Sequence, residues 1–147
     1  MKIIIGSDHG GYKLKNKIIE YLICKGFEFD DVGCYSTDSC DYPLIADSLT
    51  KKVLEDDKNL GILVCGTGIG MSIYANKVRG IRASHCTDTF SARLTKQHNN
   101  SNVLCLGERI TGCGLALDIV NEWINASFEG GRHQQRVDMI NKLDDMR

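Results

Sequence analysis

The segment 61–70 constrains the fold of this chain most strongly, because an apolar run in it gives way abruptly to glycines. Residues 61–64 can form a buried strand, Cys65 ends the run, and three glycines follow at alternate positions. A buried strand that opens into such a loop leaves backbone N–H groups free to converge on an anion, beside a thiol. The pattern predicts a strand, an anion-binding turn and a helix, although a plain strand-to-helix turn has the same glycines.

Strand and helix patterns alternate along the whole chain, which predicts a doubly wound α/β fold. We expect one Rossmann-like domain over residues 1–147, with a five-stranded parallel sheet and helices on both faces. The expected strands cover 1–7, 27–32, 60–65, 80–84 and 102–106, and the expected helices cover 12–25, 43–55, 70–76, 88–97 and 112–125.

The end of the chain, residues 127–147, has a different character. Gly130 and Gly131 form a hinge, and a polar helix with Val137, Ile140 and Leu143 on one side follows. Such a helix has too little apolar surface to hold itself. We therefore expect this tail to pack on a partner subunit.

Charge and hydropathy exclude several classes of partner. The formal net charge is −1, with 18 Lys and Arg against 19 Asp and Glu, so no global positive field gathers nucleic acid or anionic lipid. No stretch approaches the roughly 20 apolar residues of a membrane helix, and the amino terminus has no signal-peptide pattern. We expect a cytoplasmic protein without nucleic-acid or membrane partners.

The cysteines and histidines predict neither a disulfide framework nor a metal site. The seven cysteines have no Cys-x-x-Cys spacing, and the four histidines lack the i, i+4 spacing of a metal-binding helix. Most cysteines, Cys24 and Cys105 among them, lie in apolar segments and are expected in the core. The Gly-x-Gly-x-Gly pattern also departs from a dinucleotide fingerprint, so no cofactor is expected.

Chemistry in a doubly wound fold concentrates at the carboxyl ends of the strands. Asp8 and His9 follow the first expected strand, and Cys65 ends the third, where loop amides favour its thiolate as base or nucleophile. The alternatives are that Asp8 only caps a helix, that His9 is a surface residue and that Cys65 belongs to the core.

Two further candidates lie later in the chain. His98 and Asn99 end a helix, and Arg132 and Arg136 are four residues apart, so that they can hold a dianion from one helix face. A polar helix terminus and a solvated tail are the alternatives.

Together these motifs resemble the ribose-5-phosphate isomerase B family, which also contains galactose-6-phosphate isomerase subunits. The resemblance covers essentially the whole chain and keeps the order of the motifs. The matching pieces are 6–11 with Lys15, 41–43, 65–70, 82–83, 98–99, 102–107, Arg109 and 128–133.

The resemblance implies a metal-free aldose–ketose isomerase that acts on a phosphosugar through a cis-enediolate. Cys65 is then the base, His98 opens the sugar ring, and Asp8 and Thr67 move hydroxyl protons. Family members with a different base carry a glutamate where this chain has Met71, which favours the cysteine mechanism. By the same resemblance the oxyanion is stabilised by the side chain of Asn99 and by the amides of Gly66, Thr67, Gly68 and Gly70. The phosphate is held by His9, Arg109, Arg132 and Arg136. Tyr42 lines the sugar pocket.

Family members are homodimers or dimers of dimers whose active sites mix two subunits, so His98, Asn99 and Arg109 are expected to face the partner's Cys65. Ribose 5-phosphate is the expected substrate. A six-carbon sugar, allose 6-phosphate or galactose 6-phosphate, is the alternative, and a non-catalytic sugar-phosphate sensor is a second one.

Overall fold

The computed structural model describes residues 1–146, which form a parallel sheet of five strands in the order β2-β1-β3-β5-β4. The strands are β1 Ile3–Ser7, β2 Phe29–Asp31, β3 Leu60–Cys65, β4 Ala83–His85 and β5 Val103–Gly107. The helices are α1 Tyr12–Cys24, after a 3₁₀ turn at His9–Gly11, then α2 Tyr42–Val53, α3 Ile69–Ala75, α4 Thr89–Asn99, α5 Cys113–Asn125 and α6 Arg132–Asp144. The α/β class, the parallel sheet and helices on both faces are confirmed.

Each face of the sheet has its own apolar core, because successive strand residues point to opposite sides. Ile62 and Val64 of β3 face the layer formed by α1, α4 and α5, where Trp123 is buried. Leu63 and Cys65 face the opposite layer, formed by α2 and α3. The side chain of Cys65 therefore lies in the α2/α3 layer.

The element boundaries agree within about three residues, and the edge strands differ most. Strand β2 is shorter than expected, and β4 occupies Ala83–His85 instead of 80–84. Before β4, the amide side chain of Asn102 replaces ladder bonds: its Oδ1 accepts from Arg82 N at 2.8 Å and its Nδ2 donates to Gly80 O at 2.9 Å. An edge strand pairs on one side only, so such a side chain can displace it.

The tail helix α6 packs on its own chain. Val137 is buried, Gly80 N donates to Asp144 Oδ2 at 2.8 Å, and Arg82 Nη1 donates to Asn141 Oδ1 at 3.4 Å. Residues 79–82 and α4 therefore give α6 a surface within its own chain, and the packing of the tail on a partner subunit stays a prediction. Helix α6 nevertheless has an exposed apolar strip, which consists of Met139, Ile140 and Leu143.

The cysteines divide by burial. Cys65, Cys86 and Cys105 are buried, whereas Cys24 is exposed in the last turn of α1. The expectation of a core position for Cys24 was wrong, because the end of the helix turns this residue away from the sheet. All seven cysteines are free thiols in this structure.

Membrane insertion by a helix has no support in the structure. Among residues 1–146, no helix combines the length and apolar character needed to span a bilayer.

Candidate active site

The predicted anion-binding turn forms at the carboxyl end of β3. Cys65 is buried there, and its Sγ accepts a hydrogen bond from the backbone N–H of Gly68 at 3.0 Å. Gly68 has φ +80°, a left-handed conformation that turns the chain back toward the sulfur and favours glycine. An N–H directed at sulfur stabilises a thiolate more than a thiol. The turn therefore places the Cys65 thiol, a potential base, beside the backbone N–H of Gly68 at the start of α3.

The turn is held in shape by its packing against two neighbouring strands. Gly107 at the end of β5 pairs with Cys65, and a Cβ at position 107 would lie 2.5 Å from the carbonyl carbon and oxygen of Thr67. On the other side, a Cβ at Gly68 would lie 2.7 Å from Cδ2 of His85. Thr67 itself is exposed at the tip of the turn, where its Oγ1 accepts from Ile69 N at 3.3 Å.

His85 is not among the predicted site residues, although it supports the turn. Its Nε2 is buried and has no hydrogen-bond partner within the described part of the chain. Its position in the sequence could have indicated this role, because His85 is the last residue of β4 and the carboxyl ends of the strands face the site.

Strand β1 brings Asp8 and His9 to the same edge of the sheet. Asp8 is only 8% exposed, and its Oδ1 accepts from Gly10 N at 2.9 Å, so it caps the 3₁₀ turn as the alternative reading proposed. The Nδ1 of His9 accepts from Cys40 N at 3.3 Å. A cavity of about 450 Å³ opens here, lined by Asp8, His9 and residues 39–44.

Tyr42 lines this cavity from the start of α2. Its ring lies over the turn, since a Cβ at Gly70 would be 2.9 Å from Cζ of Tyr42. The structure therefore brings together one group of predicted site residues at the carboxyl edge of the sheet: Asp8, His9, Tyr42, Cys65, Gly66, Thr67, Gly68 and Gly70.

Arg109 also belongs to this group, which corrects the expectation that it faces the partner's Cys65. The chain pairs Cys65 with Gly107, and Arg109 N then donates to Gly66 O at 3.0 Å. A Cβ at Gly66 would lie 3.1 Å from Nη1 of Arg109, so the guanidinium covers the turn of its own chain.

His98 and Asn99 lie at the opposite edge of the sheet. They end α4, which runs back from the carboxyl edge before β5 begins at Val103. Val103 pairs with Gly61, four residues before Cys65, which is about 13 Å along a strand. Helix α4 also packs on the α5 layer, the face that Cys65 does not point to. Within one chain, His98 and Cys65 are therefore well separated.

A second cluster surrounds His98. The rings of His98 and His133 stack with centroids 4.2 Å apart and planes 6° from parallel. Burial, followed by the neighbouring His98 and Arg132, lowers the pKa of His133. Arg132 and Arg136 are exposed on the first turns of α6 beside this pair. His98, Asn99, Arg132 and Arg136 thus form a group of their own.

Two nearby side chains are unsuited to act as a base. Burial, reinforced by Cys34, raises the pKa of the Cys40 thiol to about 11, so Cys40 stays protonated at neutral pH. Met71 is fully buried in the apolar core beneath the turn.

Comparison with known proteins gives matches over almost the whole chain. Residues 3–140 match the ribose/galactose isomerase family. The chain is 46% identical over 146 residues to ribose-5-phosphate isomerase B of Escherichia coli K12. The match covers 99% of this chain and 98% of that protein. The solved structure of ribose-5-phosphate isomerase B from Clostridium thermocellum is 49% identical, with a TM-score of 0.95 and 99% of both chains covered.

A further solved structure contains a sugar phosphate. Ribose-5-phosphate isomerase B from Mycoplasma genitalium, with bound ribulose-5-phosphate, is 42% identical and has a TM-score of 0.90. The superposition covers 99% of this chain and 97% of that one.

Proposed function

We propose that this chain, which belongs to the ribose/galactose isomerase family and is an aldose–ketose isomerase, interconverts D-ribose 5-phosphate and D-ribulose 5-phosphate. The relative from Escherichia coli is named for this activity, and the relative from Mycoplasma genitalium has been solved with ribulose-5-phosphate. The observation that carries the mechanism is the 3.0 Å hydrogen bond from Gly68 N to Cys65 Sγ, inside the glycine-rich turn that joins β3 to α3.

In the proposed reaction Cys65 acts as a thiolate base. It removes the proton from C2 of the open-chain aldose, and the electron pair of the C2–H bond forms the C1=C2 bond of a cis-enediolate. The proton of the C2 hydroxyl leaves as the C2 carbonyl forms, O1 gains a proton, and the Cys65 thiol returns its proton to C1. Atoms and electrons balance without an external oxidant or reductant.

The remaining residues of the turn stabilise this intermediate. The amides of Gly66, Thr67 and Gly70 face the negative charge that develops on O1 and O2, an arrangement that typically contributes about 10²–10³ in rate per donor. The N–H of Gly68, which was also expected at the oxyanion, donates to the Cys65 sulfur instead. Asp8 and Thr67 lie at the same edge of the sheet and move the hydroxyl protons. Tyr42 closes the sugar pocket over Gly70, and no step requires a cofactor or a metal ion.

We propose that the complete site combines two chains in a homodimer or a dimer of dimers. In this proposal His98 opens the furanose ring. It lies at the amino edge of its own sheet, away from the Cys65 of the same chain, and so do Asn99, Arg132 and Arg136. A partner oriented by a two-fold axis can bring this second group to the Cys65 turn. His9 and Arg109 would then hold the phosphate from one chain, and Arg132 and Arg136 from the other.

The deciding experiment measures ketose formation from ribose 5-phosphate, allose 6-phosphate and galactose 6-phosphate, with protein treated with EDTA. We expect the highest kcat/KM with ribose 5-phosphate, and the same rate before and after EDTA treatment. A higher kcat/KM with either six-carbon sugar would assign the alternative substrate. Binding of the three sugar phosphates without turnover would indicate a sensor, and a rate that EDTA abolishes would contradict the metal-free mechanism.

A further inference from the structure

Three potential metal ligands meet at the junction of α4 and α6. The Oε2 of Glu129 lies 3.6 Å from Nε2 of His133 and 3.9 Å from Nε2 of His98. Nitrogen or oxygen donor atoms of these three side chains all lie within 4.8 Å of one another, and among the described residues no other such group of three exists. The sequence did not indicate this site, because the donors come from two helices and the loop between α5 and α6.

We propose that His98, Glu129 and His133 form a binding site for a divalent transition-metal ion, with Zn²⁺ as the fitting ion, and that the bound ion inhibits the isomerase. The inhibition rests on the proposed function, in which His98 opens the sugar ring. An ion held by the Nε2 of His98 occupies the atom that would exchange a proton with the ring oxygen.

The donor set and the spacing suit zinc. Two imidazole nitrogens and one carboxylate oxygen are ligands that Zn²⁺ takes in open sites, where water completes the tetrahedron. Bonds of about 2.0–2.1 Å place tetrahedral ligand atoms about 3.3 Å apart. The carboxylate distances of 3.6 Å and 3.9 Å must therefore shorten, and the two imidazole donors, which lie within 4.8 Å of each other, must also approach. The stacked rings must also turn until their lone pairs converge on the ion.

Backbone hydrogen bonds hold the segments that carry the three side chains close together before any ion binds. Glu129 N donates to Gln97 O at 3.0 Å, which ties the loop to the last turn of α4 next to His98. His133 is buried in the first turn of α6, and its N–H donates to Gly130 O at 3.0 Å. A site between elements fixed in this way loses little conformational entropy on binding.

The test uses untagged full-length protein, freed of metal and kept in a buffer without phosphate. Equilibrium dialysis with Zn²⁺ should give one ion per chain, and both Glu129→Gln and His133→Gln should weaken binding at least about tenfold. Asp138→Asn is the matched control, since it removes one negative charge from α6 outside the cluster. Glu129 is exposed, so its variant keeps the test valid if the buried His133→Gln variant fails to fold.

Zn²⁺ could instead bind to a cysteine thiolate, and Co²⁺ in place of Zn²⁺ distinguishes that site from the proposed one. Cobalt at the proposed site should lack the near-ultraviolet charge-transfer band of cobalt–thiolate bonds, and Cys65→Ser should bind Zn²⁺ as the wild type does. A thiolate band at the same stoichiometry, or unchanged binding in both ligand variants, would overturn the proposal.

The isomerase assay supplies the second measurement. Zn²⁺ should inhibit the wild type, EDTA should reverse the inhibition, and Glu129→Gln should need at least about tenfold more Zn²⁺ for half-inhibition relative to its own basal rate. One bound ion in a protein without isomerase activity would contradict the proposed function alone. An active isomerase that binds no Zn²⁺ would contradict the metal site alone.

Discussion

Cys65 differs from the other buried cysteines in what its sulfur contacts. Burial raises the pKa of Cys86 to about 11 and that of Cys105 still further, so both remain thiols under any physiological condition. The sulfur of Cys65 instead accepts a backbone N–H at the start of a helix. This contact supports the proposal that Cys65 is the base.

Replacing Cys65 with serine tests this assignment. We expect Cys65→Ser to lower kcat about 10²–10⁴-fold, because serine is almost never ionised near neutral pH and a positioned base contributes about that much. Binding of ribulose 5-phosphate, measured by calorimetry, should change by less than about threefold, since the phosphate groups are untouched. The exposed Cys24→Ser is the control and should retain wild-type kcat. Near-normal turnover in Cys65→Ser would remove cysteine as the base.

Replacing Arg136 with alanine tests the phosphate assignment. Phosphate is held equally in the ground and transition states, so Arg136→Ala should raise KM about tenfold or more and change kcat little. Arg93→Ala is the control, because Arg93 is a partly exposed arginine outside the predicted site and pairs with Glu122 on α5. Steady-state kinetics decides the point: a fall in kcat at unchanged KM would contradict a phosphate-binding role.

At the scale of elements, the shape of the turn depends on how closely two strands approach it. The carbonyl of Thr67 lies against Gly107 of β5, with no room for a Cβ. The sheet therefore positions the amides of the turn by contact with backbone atoms, which cannot move aside as a flexible side chain could.

Filling that contact should distort the site. Gly107→Ala places a methyl group 2.5 Å from backbone atoms of Thr67, so we expect a loss of about 1–3 kcal/mol in unfolding free energy. We also expect kcat to fall at least about tenfold, because the amides lose their alignment. Gly114→Ala in α5 meets nothing within 4 Å and should keep full activity, with a small gain in stability. Equal kcat in the two variants would contradict a positioning role for Gly107.

A buried ion pair connects α1 to the loop that leads to Tyr42. Lys15 is fully buried, and its Nζ donates to Asp31 Oδ2 at 2.7 Å and to Cys34 O at 2.7 Å. Asp31 also accepts from Gly33 N at 2.9 Å, so one lysine and one aspartate hold the start of this loop.

Removing the lysine should therefore be costly. Lys15→Met leaves the Asp31 carboxylate without its cation, and we expect a loss of about 3–5 kcal/mol in unfolding free energy, measured by urea denaturation. Asp31→Asn should recover part of that loss in the double variant. Lys17→Met is the control, because Lys17 of the same helix pairs with Glu20 on the surface and should matter little. Similar losses in the two lysine variants would contradict this account.

At the scale of the whole molecule, the predicted site residues form two groups separated by the sheet. Cys65 and Arg109 belong to the carboxyl edge, and His98 and Arg136 belong to the group around the α4–α6 junction. An isomerase that uses both groups needs a second chain, and the exposed apolar strip of α6 is available for contact with it.

Mixed dimers test the shared site. Cys65→Ser and His98→Gln should each be nearly inactive alone. Co-expression in equal amounts should restore about a quarter of wild-type activity, since half of the dimers are mixed and each mixed dimer has one intact site. Activity that stays at the level of the single variants would place both groups of one site in the same chain.

The sequence by itself determined the class of fold, because strand and helix periodicity are local properties of the chain. It also identified the Cys65 turn, since the apolar run, the thiol and the glycines are contiguous. The predictions from sequence were wrong where nonlocal contacts determine the structure. Examples are the bounds of β4, which depend on Asn102, and the exposure of Cys24, which depends on how α1 meets the sheet.

Only the tertiary structure decided which site residues lie together. Strand order and helix direction place His98 at one edge of the sheet and Cys65 at the other, and the pairing of β3 with β5 places Arg109 over the turn of its own chain. The same packing joins Glu129 to two histidines from different helices. Residue spacing cannot predict these groupings, because they depend on contacts between segments far apart in the sequence.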